Sequence, residues 1–188
     1  MRGDCQRAFA TAAAGDGVAL SPQSFPWLCQ RGHLALPADA SDAVAALAAI
    51  YEALGGDVDA LASAPLTRLR GDFYHAPTRR LLELDESQHF TSARLLTLDL
   101  YPPDAALGFD VAAYKALIAA WHREADGYFR SKSARGFTAH GRQNQRAYYD
   151  ALRDLATPAM GHPPLIRVAA PNRDGATAWA SISEAFVD

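Results

Sequence analysis

The sequence predicts an α/β protein, a single-domain three-layer sandwich with a central mixed β-sheet. Its 188 residues, 49% of them hydrophobic and 21% charged, suffice for one buried core and one domain. Apolar residues recur at helical spacing in some segments and at strand spacing in others, in the order helix, three strands, two helices, strand. That order is typical of a layered α/β fold and differs from a bundle or a barrel.

The first part of the chain differs in composition from the rest. Residues 1–40 are rich in Ala, Gly and Pro and contain one short apolar stretch, FPWLC, at residues 25–29. We therefore expect an irregular N-terminal arm, residues 1–40, packed on the core. Residues 41–188 are expected to form the α/β domain.

Helical spacing first occurs after Asp42, and the pair Gly55-Gly56 ends that helix. Its apolar residues recur at steps of three and four: Val44, Leu47, Tyr51 and Leu54. Two strand signals follow at about residues 67–75 and 79–86, separated by the turn APTR. Residues 95–101, LLTLDLY, predict a third strand, which the proline pair after it stops.

The second half of the chain predicts two helices and a final strand. A helix is expected over about residues 111–125, a polar and basic loop up to Gly141, and a second helix over about residues 142–156. Residues 164–170, PLIRVAA, predict a strand whose apolar run suits a buried position in a mixed sheet. For residues 176–187 the pattern leaves helix and strand open.

The net charge and the cysteine content indicate which binding partners and which cellular compartment to expect. The net charge of -3 gives no overall attraction to nucleic acid or anionic lipid, so such a contact would need a local basic patch. Cys5 and Cys29 match no metal-binding spacing, and we expect free thiols in a reducing cytosol. No segment approaches the roughly 20 apolar residues of a membrane span. A cytoplasmic protein without a membrane partner is therefore expected.

Acidic side chains concentrate in the second strand of the predicted hairpin, LLELDESQHF. Side chains alternate faces along a strand, so Glu83 and Asp85 share one face. The pairs expected for a tight APTR turn are His75 with Arg80, Phe73 with Leu82, and Asp72 with Glu83. A three-residue loop would instead set Asp72 against a leucine.

Carboxylates that lie close together need a shared proton or a cation to offset their repulsion. Two carboxylates about 4 Å apart repel by about 4 kcal/mol at an effective dielectric constant of 20, so they share a proton or hold a cation. An oxygen-rich site formed by Asp72, Glu83 and Asp85 suits Mg²⁺ or Mn²⁺.

The segments GDF and LLELDESQHF together resemble the active-site hairpin of the restriction-endonuclease-like, or PD-(D/E)XK, nuclease superfamily, and within it the very-short-patch-repair (Vsr-like) group. The similarity extends to QRAYYDALRDL and PLIRV and covers roughly residues 66–168; QRAYY also contains the Gln-x-x-x-Tyr pattern of RecB-like nucleases. The resemblance implies a restriction-endonuclease-like core. It also implies that Asp72 and Glu83 bind the metal, that Asp85 occupies the variable third position, and that Gln88 and His89 belong to the catalytic site.

This resemblance implies a metal-dependent endonuclease of restriction or repair type that hydrolyses phosphodiester bonds, with DNA as the expected substrate and RNA not excluded. A bound metal ion would polarise the phosphate and activate a water molecule. His89 would transfer a proton. The sequence leaves open whether two copies of the chain form a homodimer.

A basic stripe provides the expected nucleic-acid surface. Four residues at steps of four, three and four lie on one helical face: Arg142, Arg146, Tyr149 and Arg153. Arginines on one face can bind successive phosphates without reading sequence. The preceding loop adds positive charge through Arg130, Lys132, Arg135 and His140.

Other interpretations compete with this one. The superfamily's frequent lysine is absent, which favours as an alternative a catalytically inactive nuclease-fold protein that binds nucleic acid or a partner. Paired carboxylates also serve glycosidases. The hairpin acids could also form a solvated face paired with Arg79, Arg80 or Arg94, the basic stripe could be an ordinary charged helix face, and Glu52 could either complete the site or be solvated.

Overall fold

The computed structural model describes residues 3–137 and 140–186 of the chain; residues 1 and 2 of the predicted arm and residues 138, 139, 187 and 188 of the predicted domain lie outside these ranges. Within them, seven α-helices accompany a three-stranded mixed sheet and a separate two-stranded ribbon. The helices are α1 (Asp4–Gly15), α2 (Ser41–Ala53), α3 (Val58–Ala62), α4 (Ser92–Asp99), α5 (Val111–Ala125), α6 (Gly141–Ala159) and α7 (Gly175–Ala180). The strands are β1 (Ser24–Cys29), β2 (Arg68–Arg70), β3 (Phe73–His75), β4 (Arg80–Asp85) and β5 (Ile166–Ala169).

The main sheet has the order β3-β4-β5. Strands β3 and β4 are antiparallel, with Phe73 opposite Leu82 and His75 opposite Arg80, which confirms the register expected from the APTR turn. Strand β5 runs parallel to β4 on its other side. The single strand predicted at residues 67–75 is divided, because β2 pairs with β1 and only β3 joins the main sheet.

One face of the main sheet is covered by α1 and α7. Leu82 and Leu84 share an apolar cluster with Phe9 of α1 and Trp179 of α7. The rings of Phe9 and Phe73 stack with centroids 5.1 Å apart. The two helices approach so closely that a Cβ atom at Gly175 would lie 2.1 Å from the backbone oxygen of Cys5, so only glycine fits there.

The N-terminal arm is packed on the core as expected, but its predicted irregularity is wrong. Helix α1 and strand β1 lie within residues 1–40. Cys5, Phe9 and Ala13, spaced four apart, form the buried stripe of α1. Because alanine is a strong helix former, the Ala-rich composition was itself a helix signal.

Helices α2, α5 and α6 match the predicted helices closely. Gly55, at φ 71°, follows the end of α2 as expected. Helix α5 has the predicted bounds, and α6 extends three residues beyond residue 156. A second core cluster joins α2 to α6 through Leu47, Ile50, Tyr51, Ala147, Tyr148, Ala151 and Leu152. Within residues 176–187, left open between helix and strand, helix α7 ends at Ala180 and a 3₁₀ turn covers Ser183–Ala185.

The strand predicted at residues 95–101 is wrong, because this segment lies largely in helix α4. The side chain of Thr91 accepts a hydrogen bond from the backbone N–H of Arg94 and caps the helix. The buried residues of α4 are Arg94, Thr97 and Leu98, a helical spacing with mostly polar members, while Leu96 and Leu100 are exposed. The alternating leucines therefore suggested a strand face that does not exist.

In the described ranges, no helix combines the length and apolarity that crossing a bilayer requires.

Candidate active site

A polar cleft of about 340 Å³ lies between the end of the β3–β4 hairpin, the turn after β4 and one face of α6. The predicted site residues that line it are Asp72, Glu83, Gln88, His89, Arg142, Arg146, Tyr149 and Arg153. The structure therefore brings the acidic hairpin and the basic stripe of α6 together in one cleft.

Two hydrogen bonds between backbone and carboxylate connect Asp72 to Glu83 and Leu84 at the end of the hairpin. The backbone N–H of Asp72 donates to Glu83 Oε1 at 3.2 Å, and the backbone N–H of Leu84 donates to Asp72 Oδ2 at 3.0 Å. Strand β3 begins only at Phe73, so the carboxylate of Asp72 takes the place of a strand partner for Leu84. This arrangement holds both carboxylates at the cleft.

Burial governs the ionisation of this acidic pair. Glu83 is 5% exposed, and burial together with the nearby Asp72 raises its pKa to about 7 against the opposing effect of Arg153. Burial also raises the pKa of Asp72, although the hydrogen bond from Leu84 opposes this shift. Glu83 therefore gains or loses its proton near neutral pH.

Arg153 is the cation nearest to Glu83. Its Nε lies 3.2 Å from Glu83 Oε1, an ion-pair distance, but is not aligned for a hydrogen bond. The guanidinium is held instead by two backbone carbonyl groups, those of Tyr149 at 3.1 Å and Arg70 at 3.2 Å. Arg153 therefore belongs to the acidic site and is not a solvated residue of a helix surface.

Asp85 does not join Asp72 and Glu83 as a third metal ligand. Its side chain is fully buried, and Arg167 Nη1 donates to both of its oxygens, at 3.0 and 2.9 Å. The hydroxyl group of Tyr114 donates to Asp85 Oδ2 at 2.8 Å. The face predicted to be open at Asp85 is therefore occupied by Tyr114 of α5 and Arg167 of β5.

Arg167 is the centre of a buried ionic network that sequence reasoning missed. Its Nε donates to Asp154 at 2.7 Å, and its Nη2 donates to the backbone oxygen of Asp150 at 3.0 Å. Arg94 also pairs with Asp154, so it is no partner of the hairpin acids. An arginine inside the apolar run PLIRVAA was the available signal, because a buried charge needs a buried partner.

His89 is positioned by two buried carboxylates. A short 3₁₀ turn, Ser87–His89, follows β4 and brings the ring to the cleft. Its Nδ1 lies 3.2 Å from Asp150 Oδ2 and 3.2 Å from Asp85 Oδ1. Burial lowers the pKa of His89, but these two carboxylates outweigh burial and raise it. With Nδ1 engaged, Nε2 is the ring nitrogen on the opposite edge.

Arg142 and Arg146 provide the remaining positive charge of the cleft. Arg142 Nη1 donates to Gln145 Oε1 at 2.6 Å, and Arg146 Nη1 donates to the backbone oxygen of Gln88 at 3.1 Å. Arg146 also lies over the ring of Phe129, 5.2 Å from its centroid. The predicted helical stripe is therefore directed towards the carboxylates.

The basic loop before α6 does not extend this cleft. Arg130 and His140 line a different cleft, Lys132 lies over the ring of Phe129, and Arg135 donates to Ser63. None of these four residues lines the carboxylate cleft itself, but Lys132 and Arg146 lie over the same ring, that of Phe129. Glu52 is exposed on α2 and lines neither cleft, in agreement with its interpretation as a solvated helix residue.

Of the three predicted metal ligands, Asp72 and Glu83 line the cleft and Asp85 does not. Among the described residues, no group of three or more His, Cys, Asp and Glu side chains could hold a metal ion. Asp72 Oδ1 makes a single long contact, 3.5 Å from Gln6 Nε2. Mg²⁺ is commonly bound by one or two carboxylates, with water and substrate phosphates as its other ligands, and Asp72 and Glu83 would be those carboxylates here.

Comparisons with known proteins identify no relative. The chain matches no protein-family model, no curated protein and no solved structure.

Proposed function

We propose that this protein is a divalent-metal-dependent endonuclease that hydrolyses phosphodiester bonds, with DNA as substrate and RNA not excluded, and that its domain is a restriction-endonuclease-like three-layer sandwich. Two features support the fold proposal. The acidic hairpin has the register that the resemblance requires. Helices contact both faces of the sheet: α1 and α7 at Leu82 and Leu84, and α6 through the contacts of Arg167.

One observation carries the functional proposal: a single polar cleft is lined by Asp72, Glu83, His89, Arg142 and Arg146. Carboxylates alone would repel a phosphodiester, and arginines alone would bind it without reaction. Their combination can hold a phosphate and provide acid–base groups beside it.

The residues have separate roles in the proposed reaction. Arg142 and Arg146 bind phosphates of the substrate backbone through charge-assisted hydrogen bonds. Asp72 and Glu83 would hold Mg²⁺ or Mn²⁺, which supplies a more acidic water and a polarised phosphate when bound. His89, protonated and held at Nδ1 by Asp150, donates a proton from Nε2 to the leaving oxygen.

Cleavage assays test this proposal. Supercoiled plasmid, single-stranded DNA and RNA are incubated with the protein and Mg²⁺ or Mn²⁺, and the products are separated on gels. Wild type is expected to cleave at least one substrate, and Glu83→Gln to lose this activity. Glu52→Gln, which removes an exposed carboxylate outside the cleft, serves as the matched control. Absence of metal-dependent cleavage, or equal activity of Glu83→Gln, would overturn the proposal.

A second candidate function is nucleic-acid binding without hydrolysis. Arg153 beside Glu83 is the observation that favours it, because an internal cation at the acidic pair weakens the need for a metal ion. This candidate predicts binding that neither chelator nor Glu83→Gln reduces. A glycosidase is disfavoured, since Tyr149 is the only aromatic residue among the described residues that line the cleft.

A further inference from the structure

A second cleft, of about 510 Å³, lies on the opposite face of α6 and shares no residue with the carboxylate cleft. It is formed by the end of α2, the start of α4, the end of α5 and the first turn of α6. Gln143 and Asn144 line it, whereas Arg142, Gln145 and Arg146 line the carboxylate cleft. Only the width of one helix separates the two.

The floor of this second cleft is apolar. Leu54, Ala93 and Leu96 line it, and Leu96 is 39% exposed although it is a large hydrophobic residue of a folded helix. Concave sites of about 300–1,000 Å³ with a mainly apolar lining and a few polar groups are the usual form of small-molecule sites. The volume and the lining therefore suit a small ligand with an apolar part.

Two arginines give the cleft positive charge. Arg123, Arg130 and His140 line it and are exposed. Within residues 3–137 and 140–186, neither arginine has an ion-pair partner.

The acidic group at this cleft, Asp126, is engaged by α4. It accepts hydrogen bonds from the backbone N–H of Ser92 at 2.9 Å and from the Ser92 hydroxyl group at 2.6 Å. Asp126 is therefore directed at the start of α4, and the two arginines are left to interact with an anion.

We propose that this cleft binds an amphipathic anion, specifically a nucleoside 5′-phosphate, with its base on the apolar floor and its phosphate between Arg123 and Arg130. Arginine suits this role because its planar guanidinium contacts phosphate through two parallel N–H groups. The choice of a nucleotide rests on the proposed function. A nucleic-acid strand bound in the carboxylate cleft would reach the second cleft by passing over helix α6. A free mononucleotide and a single nucleotide within a nucleic-acid strand both carry this combination of base and phosphate.

Isothermal titration calorimetry with three small probes tests the proposal. AMP carries both groups, adenosine lacks the phosphate, and inorganic phosphate lacks the base. AMP is expected to bind at least about tenfold more tightly than either fragment, and Arg123→Ala to weaken AMP binding about tenfold, the effect of one charge-assisted contact. Leu96→Asp, which places a negative charge on the floor, should weaken it at least as much. Arg68→Ala, which removes an exposed arginine outside both clefts, should leave the affinity unchanged.

Two results would overturn the proposal: equal affinity of wild type and Arg123→Ala for AMP, or inorganic phosphate binding as tightly as AMP. An oligonucleotide arm distinguishes the sources. If the nucleotide belongs to a strand, Arg123→Ala weakens binding of single-stranded DNA; if the ligand is a free mononucleotide, Arg123→Ala weakens AMP binding alone. Glu83→Gln should bind AMP like wild type, so a failed cleavage assay with intact AMP binding would refute the proposed nuclease and not this site.

Discussion

Arg153 Nε lies 3.2 Å from Glu83 Oε1, so the acidic pair of the cleft contains a cation supplied by the protein itself. The sequence left two ways to accommodate converging carboxylates, a shared proton or a cation. Both contribute here: burial and Asp72 raise the pKa of Glu83 to about 7, while Arg153 favours its ionised form. The ionisation of Asp72 and Glu83 should therefore depend on pH, on a bound metal ion and on a bound phosphate.

The stability of the protein should depend on pH through Glu83. An acid whose pKa is raised from 4.5 to about 7 in the folded state binds more protons when folded, so the free energy of unfolding falls as pH rises through this interval. Glu83→Gln keeps a side-chain oxygen for the Asp72 N–H and removes this penalty. We expect the variant to gain up to about 3 kcal/mol over wild type at pH 8 and nothing at pH 4. Urea unfolding at both pH values measures the difference, with Glu52→Gln as the control; a variant less stable at pH 8 would mean that the ion pair with Arg153 dominates.

A divalent metal ion should stabilise the folded protein through Asp72 and Glu83. Ligands that bind only the folded state raise the melting temperature. Because the metal competes with the proton on Glu83, the increase should be larger at pH 8 than at pH 6. Thermal melts with Mn²⁺ and with chelator measure it. Asp72→Asn and Glu83→Gln should lose the increase, and a wild-type melting temperature that Mn²⁺ leaves unchanged would exclude the metal site.

Arg142 and Arg146 should contact phosphates irrespective of base sequence. Arg142→Ala combined with Arg146→Ala is expected to weaken binding of all DNA sequences alike and to reduce the slope of log K against log salt by about 2, roughly one for each lost phosphate contact. Fluorescence anisotropy over a salt series provides the slope. The pair Arg68→Ala and Arg79→Ala removes the same charge outside the cleft, and an equal effect of this control would mean that only net charge matters.

The protonation of His89 should depend on Asp150. The carboxylates of Asp85 and Asp150 raise the pKa of His89, so Asp150→Asn is expected to lower it. The contribution of charged His89 to stability is present below its unfolded pKa and is lost as pH rises through the raised folded value. Titration of the His89 ring protons by NMR gives the pKa directly, and Asp126→Asn, at the second cleft, is the control. An unchanged pKa in Asp150→Asn would show that Asp85 alone sets it.

Local sequence signals predicted the parts of this protein in which neighbouring residues decide the structure. The APTR turn fixed the pairing of β3 with β4, and steps of three and four identified the face of α6 that lines the cleft. A strand was predicted in place of α4 because the inward face of that helix holds Arg94 and Thr97 beside Leu98, while Leu96 is exposed. Such an inversion depends on Asp154, 60 positions further along the chain, which no local pattern contains.

Asp85 was misassigned for the same reason. The alternation of β4 correctly grouped it with Glu83, but the guanidinium that occupies it belongs to β5, which is distant in sequence. Tyr114 and Asp150, on two further helices, complete its surroundings and those of His89. Sequence reasoning could therefore locate the carboxylates but not which of them a substrate can reach.

The side chain of Arg167 contacts three carboxylates at once, those of Asp85, Asp150 and Asp154. Lysine cannot reproduce these contacts, because its three N–H groups share one nitrogen whereas Arg167 faces the carboxylates with three separate nitrogens, and removing one partner of a buried charge leaves the others uncompensated. Change at these four positions must consequently be concerted. A lineage, or a designer, that replaces this centre with apolar side chains has to alter two strands and a helix together, and any single intermediate along that route is expected to fold poorly.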